Sequence, residues 1–142
     1  MNLKTLSYFV GRSLEKPLKK YFWPSFINQS EFMAKLSSYT IVDFPTKAQL
    51  NLFLKYLEQI NNDKLVIEEM KKSGLIKQIV SQIWNATNAY RIGITYEYKD
   101  EESFSKFQII LKEFMEKSET KELLSGAKIS NSRGIVLFEN NF

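Results

Sequence analysis

An internal repeat is the feature of this sequence that most restricts its fold. The segment 44–60 aligns without gaps with the segment 98–114. In this alignment apolar residues coincide at steps of three and four residues, the spacing of one face of an α-helix. The coincident pairs are Leu50 with Phe104, Phe53 with Phe107, Leu57 with Leu111, and Ile60 with Phe114. We therefore predict two equivalent helices with equivalent buried faces.

The residues around these two helices repeat as well. A run of β-branched and aromatic residues, typical of a strand, precedes each helix. A Ser-Gly pair follows each helix, and an apolar run then closes each repeat. Each repeat is predicted to be a strand–helix–strand unit, the first at 38–85 and the second at 90–140. The segment 38–42 matches 91–96, the pair Ser73-Gly74 matches Ser125-Gly126, and the segment 79–85 matches 134–140.

Capping and turn residues set the predicted boundaries. Thr46 and Asp100 stand where a helix N-cap is expected, and Asp100 is followed by two acids that suit the positive end of the helix dipole. Asn85-Ala-Thr-Asn88 predicts a turn between the two central strands. The predicted strands are 38–44, 77–85, 90–98 and 128–139, and the predicted helices are 46–61 and 100–117 with extensions near 64–73 and 119–125.

Two such units in tandem give the order β-α-β-β-α-β. This order ordinarily forms a four-stranded antiparallel sheet with both helices on one face. Over 38–140 the chain resembles the ferredoxin-like plait, an α+β fold, and within it the dimeric α+β barrel group. The resemblance implies that a second copy covers the open face of the sheet. We expect the α+β domain at 36–142, preceded by a basic amphipathic helical arm at 1–35.

Alternation along the predicted strands distinguishes the two faces of the sheet. In the strand 90–98 one set of alternating residues is entirely apolar and is expected to pack on the helices. The strand 77–85 has apolar residues on both faces, so the open face needs cover. The arm, a second copy or a larger assembly could supply it; a self-sufficient monomer is the remaining alternative. The expected inward residues of the strand 90–98 are Ile92, Ile94, Tyr96 and Tyr98, and the outward ones are Arg91, Gly93, Thr95 and Glu97.

The excess positive charge of the chain is concentrated at its N-terminus. The net charge is +4, whereas residues 24–142 carry fifteen charges of each sign. Apolar residues at helical spacing among the lysines indicate an amphipathic helix, which suits a membrane surface, a protein partner or mitochondrial targeting. The alternative is that its apolar stripe packs on the body. The candidate membrane or partner contacts are Lys4, Arg12, Lys16, Lys19, Lys20, Tyr21, Phe22 and Trp23.

Residue types that many active sites need are missing from the sequence. It has no cysteine and no histidine, which excludes disulfides, thiol nucleophiles, zinc sites built from these residues and imidazole catalysis. Acidic clusters at 68–69, 100–102 and 113–116 lie next to lysines at helical spacing, the pattern of a solvated face. The resemblance implies that haem- and polyketide-processing enzymes of the barrel group commonly rely on histidine, asparagine or tryptophan in the cleft. Without histidine this fails for most members, so no catalytic residue is carried over. We predict no enzyme activity, no cofactor and no metal.

Three functions remain compatible with these observations. The main prediction is a non-catalytic accessory subunit of a respiratory-chain or ATP-synthase complex, peripheral to the mitochondrial inner membrane. It rests on the basic arm and on a composition rich in lysine, asparagine and isoleucine, which resembles accessory subunits of protist mitochondrial complexes. The alternative is a free-standing homodimeric α+β barrel that binds a small ligand or acts as a small enzyme, and a location outside mitochondria would be cytoplasmic. A second alternative is a nucleic-acid or ribosome-associated protein, although the neutral body argues against nucleic acid as a partner.

Overall fold

The structure is a computed structural model that describes residues 35–142. The predicted arm contacts, from Lys4 to Trp23, lie outside the described residues. The elements follow one another as β1 (Leu36–Phe44), α1 (Lys47–Asn62), α2 (Lys64–Ser73), β2 (Leu75–Gln82), β3 (Tyr90–Tyr98), α3 (Glu101–Glu116), α4 (Ser118–Leu123) and β4 (Lys128–Ile135).

The four strands form one antiparallel sheet in the order β2-β3-β1-β4. β1 and β3 pair along their whole length, from Leu36 opposite Tyr98 to Phe44 opposite Tyr90. β1 also pairs with β4, so that Leu36 has Ile135 on its other side. The first strand of each repeat therefore lies in the centre of the sheet and the last strand lies at an edge. This topology confirms the ferredoxin-like α+β plait.

The last strand of each repeat differs from its prediction. The chain leaves α2 at Gly74, whose φ of +91° ends the helix, and it enters β2 at once at Leu75. β2 then ends at Gln82, three residues earlier than the predicted end at 85. β4 ends at Ile135 because its partner strand β1 begins at Leu36, the residue directly opposite. Both differences arise from strand pairing, which local sequence does not specify.

Side chains cap the two long helices as the sequence predicts. The hydroxyl oxygen of Thr46 accepts a hydrogen bond from the backbone N–H of Gln49 at 3.1 Å. A carboxylate oxygen of Asp100 accepts one from the N–H of Ser103 at 2.8 Å and one from the Ser103 hydroxyl at 2.7 Å. These hydrogen bonds hold the pKa of Asp100 below its usual range. They satisfy backbone donors that have no partner within the helix, and so fix where α1 and α3 begin.

The core lies between the sheet and the helices. Leu50 of α1 and Phe107 of α3 are each 1% exposed, and they belong to the matching faces of the repeat. The ring centroids of Phe107 and Tyr98 are 5.6 Å apart. The predicted inward face of β3 is confirmed, because all of its apolar residues are buried: Ile92, Ile94, Tyr96 and Tyr98.

Candidate functional site

The sheet face that points away from the helices carries an apolar strip. Tyr39 of β1 and Ile79 of the edge strand β2 are 38% and 44% exposed. The strand register places Thr95 of β3 between them. The Tyr39 side chain lies against Gly93, where an added Cβ would stand 2.5 Å from the phenol oxygen. Glycine at this position therefore lets the aromatic ring approach the backbone of β3.

Ion pairs lie on both sides of this strip, along the direction of the strands. Arg91 and Asp43 are cross-strand partners and form a two-point salt bridge with N–O distances of 2.5 and 2.9 Å. The guanidinium hydrogen bonds hold the pKa of Asp43 below its usual range. At the other end the Nζ of Lys35 lies 3.0 Å from a carboxylate oxygen of Glu97 and 3.0 Å from one of Glu139. An apolar centre with charged margins is the composition of a protein interface.

A cavity of about 260 Å³ lies on the other side of the sheet, among α1, α2 and α3. Phe107 and Tyr96, both buried, line its inner end, and half-buried Met70 and Ile110 line its walls. The volume is close to the lower end of the range for ligand pockets, about 300 Å³. The rest of its apolar lining comes from Leu57, Ile60, Leu65, Val66, Leu111 and Phe114.

Few polar groups line the interior of this cavity. Gln78 of β2 faces the helices, and its Nε2 donates a hydrogen bond to the Tyr96 hydroxyl at 3.4 Å. Burial raises the pKa of Tyr96, so the phenol remains protonated at neutral pH. An apolar interior with one neutral hydrogen-bonding pair suits an uncharged, largely apolar molecule. The exposed polar side chains at the mouth are Asn61, Glu69, Glu113 and Lys117.

A second cavity of about 80 Å³ lies nearer the β4 edge of the sheet. Its polar lining comes from Thr40 of β1 and Asn131 of β4, which are cross-strand partners. The Thr40 hydroxyl donates a hydrogen bond to the Oδ1 of Asn131. The other lining residues are apolar and include Ile94, Met115 and Ile129.

Residues 33–136 match the model of one protein family, DUF6974, which is described as a domain of unknown function. This chain belongs to the DUF6974 family. The matched segment contains every helix and strand described above. None of the curated proteins compared with the chain matches it.

Two crystal structures are similar to this DUF6974 protein over almost their whole length. One is described as a dimeric ferredoxin-like protein from an uncultured marine organism; it is 31% identical, with a TM-score of 0.70 over 75% of this chain and 99% of that one. The other has the same description and the same kind of source, with 29% identity and a TM-score of 0.66 over 78% of this chain and 94% of that one. Both confirm the predicted ferredoxin-like resemblance.

The main functional prediction, an accessory subunit of a mitochondrial inner-membrane complex, is wrong. The similar structures are described as dimeric ferredoxin-like proteins from uncultured marine organisms, which favours the alternative of a homodimeric α+β barrel. The prediction fails because it rested on composition and on the basic arm, and the charged part of the arm, residues 1–23, precedes the segment that matches the family. Within residues 35–142, no helix is long and apolar enough to cross a membrane.

The acidic clusters lie on helix surfaces, and two of their members, Glu69 and Glu113, reach the exposed mouth of the larger cavity. Glu68 pairs with Lys71 at 3.4 Å and Glu102 with Lys106 at 2.7 Å, each within one helix. Among residues 35–142, no group of three or more acidic side chains is placed to hold a metal ion. The structure brings none of the predicted arm contacts into a site, because all of them lie outside the part of the chain that it describes.

Sequence reasoning missed the cavity among the helices, although one signal for it was present. Gln78 alternates in step with Val80, which faces the helices. A polar side chain on the inward face of a strand needs a hydrogen-bonding partner within the core. That partner is the Tyr96 hydroxyl, and both groups line the cavity.

Proposed function

We propose that this DUF6974 protein is a homodimer in which each protomer binds a small, largely apolar molecule without catalysing a reaction on it. The cavity of about 260 Å³ among the helices carries the proposal. The cavity opens to solvent at its mouth, so its apolar walls, which include the buried Tyr96 and Phe107, are accessible to a ligand. An apolar molecule that covers these walls would remove apolar surface from water, which favours binding.

A second copy of the chain is the partner that suits the open sheet face. A two-fold axis would place the apolar strip around Tyr39 and Ile79 against itself. The Arg91–Asp43 pair contains one positive and one negative charge, so the same pair on the second protomer can face it without net repulsion. Both similar crystal structures are described as dimeric, which supports this arrangement.

Binding without catalysis is proposed because of which groups line the cavity. The inner end offers a protonated phenol, Tyr96, and a neutral amide, Gln78. The carboxylates Glu69 and Glu113 lie at the exposed mouth, where water competes for them. A general acid or base needs a suitable pKa within hydrogen-bond reach of the reacting atom, and these groups do not provide one at the inner end.

The dimer is tested by Ile41→Arg, which places a charge on the open face beside Gly93. In analytical ultracentrifugation at micromolar concentration, we expect the wild-type full chain to have twice the mass of one chain, which is 16.7 kDa. At the same concentration we expect the variant to have the mass of a single chain. Ile109→Arg is the matched control, since Ile109 lies on α3 and is 62% exposed. A monomeric wild-type protein, or equal dissociation of both variants, would contradict the proposed interface.

The ligand site is tested with N-phenyl-1-naphthylamine, an uncharged probe whose fluorescence rises in apolar surroundings. We expect saturable binding with one probe per chain. Ile110→Phe narrows the cavity and should weaken binding about tenfold or more, the equivalent of about 1.4 kcal/mol. Ile109→Phe, the same substitution on the neighbouring exposed residue, should leave affinity unchanged. No rise in fluorescence, or equal effects of the two substitutions, would rule out this cavity as the binding site.

A further inference from the structure

The larger and the smaller cavity are separated by a wall that is one layer of side chains thick. Four side chains line both cavities: Leu57, Tyr96, Leu111 and Phe114. Leu57 and Tyr96 are buried, at 8% and 7% exposure, whereas Leu111 and Phe114 of α3 are only half-buried. The wall is therefore fixed on the α1 and sheet side and less tightly enclosed on the α3 side.

Leu111 is the member of the wall best able to move. The ring of Phe114 stacks on Tyr56 with centroids 5.7 Å apart, which restricts its rotation. Leu111 is aliphatic and has other rotamers available at a cost of about 0.5–1.5 kcal/mol for an imperfect one. With Leu111 turned aside, the two cavities join, and their combined volume reaches the usual range of ligand pockets, above about 300 Å³.

The Thr40–Asn131 pair is polar at a position where the other half of the sheet has an apolar pair. In the gapless alignment of the repeats, Thr40 corresponds to Ile94. Ile94 faces Val80 of the other edge strand, just as Thr40 faces Asn131. One half of the sheet thus fills this position with an apolar pair and the other half with a polar pair. The difference places a hydroxyl and an amide beside the smaller cavity.

The chemistry of the smaller cavity indicates which ligand group it would receive. Asn131 accepts a hydrogen bond through its Oδ1, and its amide nitrogen donates none to the residues at 35–142. No charged side chain lines this cavity among the residues described. An amide N–H at the end of an apolar cavity suits an uncharged hydrogen-bond acceptor, such as a carbonyl oxygen.

We propose that the two cavities form one elongated site for an uncharged, chain-like lipid, whose terminal carbonyl oxygen accepts a hydrogen bond from the Asn131 amide. This inference rests on the proposed ligand-binding function and specifies it. Leu111 separates the two parts of the site, and longer ligands displace it. Asn131 sets the preference for a carbonyl at the end of the chain.

Two isomeric ketones test the role of the carbonyl position. The compounds 2-undecanone and 6-undecanone have the same formula and differ only in whether the carbonyl is near the end or in the middle of the chain. In displacement of N-phenyl-1-naphthylamine from the full chain, we expect 2-undecanone to bind about three- to tenfold more tightly, the equivalent of one net hydrogen bond. Equal affinities with intact probe binding would overturn the inference and leave the proposed function standing. If neither the probe nor any ketone binds, the proposed function itself fails.

Asn131→Val tests the hydrogen-bond donor directly. We expect this variant to lose the preference for 2-undecanone while it still binds the naphthylamine probe. Gln82→Val is the matched control, because it removes an exposed amide from the opposite edge strand, away from both cavities. A preference that survives in Asn131→Val would overturn the assignment of Asn131.

Leu111→Ala tests the wall, with Lys112→Ala as the exposed neighbouring control. Removing the side chain relieves the rotamer cost, so the affinity ratio of 2-undecanone to 2-hexanone should rise about two- to tenfold. An unchanged ratio would show that the cavities do not join. Circular dichroism verifies folding, and Leu111→Val replaces the alanine variant if that variant is unfolded.

Discussion

The core position of Phe107 leads to a stability prediction that can be worked out from its contacts. Phe107 is 1% exposed, and its ring centroid lies 4.9 Å from that of Tyr96 and 5.6 Å from that of Tyr98. Truncating a buried phenylalanine to alanine costs about 3–5 kcal/mol. Two ring contacts, each worth about 0.5–1.5 kcal/mol beyond the buried area, place Phe107 in the upper half of that range. Because Phe107 also lines the larger cavity, its removal enlarges an existing void, and we expect Phe107→Ala to cost about 4–5 kcal/mol.

Urea unfolding followed by far-UV circular dichroism measures this loss at one fixed protein concentration. A domain of this kind has a total stability of about 5–15 kcal/mol, so the variant should unfold at a much lower urea concentration. Phe138→Ala is the control: Phe138 is 81% exposed, and its loss should cost less than about 0.5 kcal/mol. A cost below about 1.5 kcal/mol for Phe107→Ala would refute the assignment of the repeat face to the core.

Two further predictions concern a backbone position and a pH dependence. Gly74→Ala should destabilise the protein by more than about 1 kcal/mol in the same unfolding assay. The reason is that the φ of Gly74 is +91° and that an added Cβ would stand 2.1 Å from the Ser103 hydroxyl oxygen. Gly134→Ala is the control and should have little effect, because no atom lies within 4 Å of the added Cβ. The hydrogen bond from Arg91 lowers the pKa of Asp43 in the folded protein. The ionised Asp43 therefore stabilises the folded state at any pH above its unfolded pKa of about 3.9. This stabilisation is lost as the pH falls through the lower pKa of the folded state. We therefore expect the difference in unfolding free energy between wild type and Asp43→Asn, measured from pH 7 to pH 2, to be largest above about pH 4 and to disappear in acid. A difference that does not change with pH would show that the ion pair contributes nothing.

The helices and the faces of the central strand could be predicted from the sequence because they depend on local spacing. A step of three or four residues determines which side chains share a helix face, and alternation determines the faces of a strand. Leu50 and Phe107, one from each of the two matching helix faces, are buried. Thr46 and Asp100 cap the helices that follow them. Each of these features involves residues close together in the chain.

The ends of the edge strands could not be predicted because they depend on the partner strand. The apolar run 134–140 predicts a strand to 139, yet β4 ends at Ile135, and Leu137 and Phe138 are exposed. The alignment of 79–85 with 134–140 fails for the same reason, since the register makes Val80 and Asn131 the equivalent residues. Pairing with β1 and β3, and not apolar composition, sets these limits.

The cavities and the function were beyond the reach of sequence patterns for a different reason. A cavity is a gap left between elements distant in the chain, and five such elements meet at the larger one: α1, α2, β2, β3 and α3. No spacing rule detects the gap, although Gln78 on an inward face was a partial signal. The composition of the chain suggested a mitochondrial subunit, but overall amino-acid usage does not describe any particular site.

The two ends of the described sheet meet at one corner. The N–H of Val136 donates a hydrogen bond to the carbonyl oxygen of Lys35 at 2.9 Å, immediately beyond the Leu36–Ile135 pair. A short linker joining these positions, with new ends opened in the loop at 83–89, should give a circular permutant that forms the same sheet. In such a permutant the first repeat would follow the second along the chain. Because Ile110 and the rest of the larger cavity lie among the helices, away from that loop, the permuted chain should still bind the naphthylamine probe.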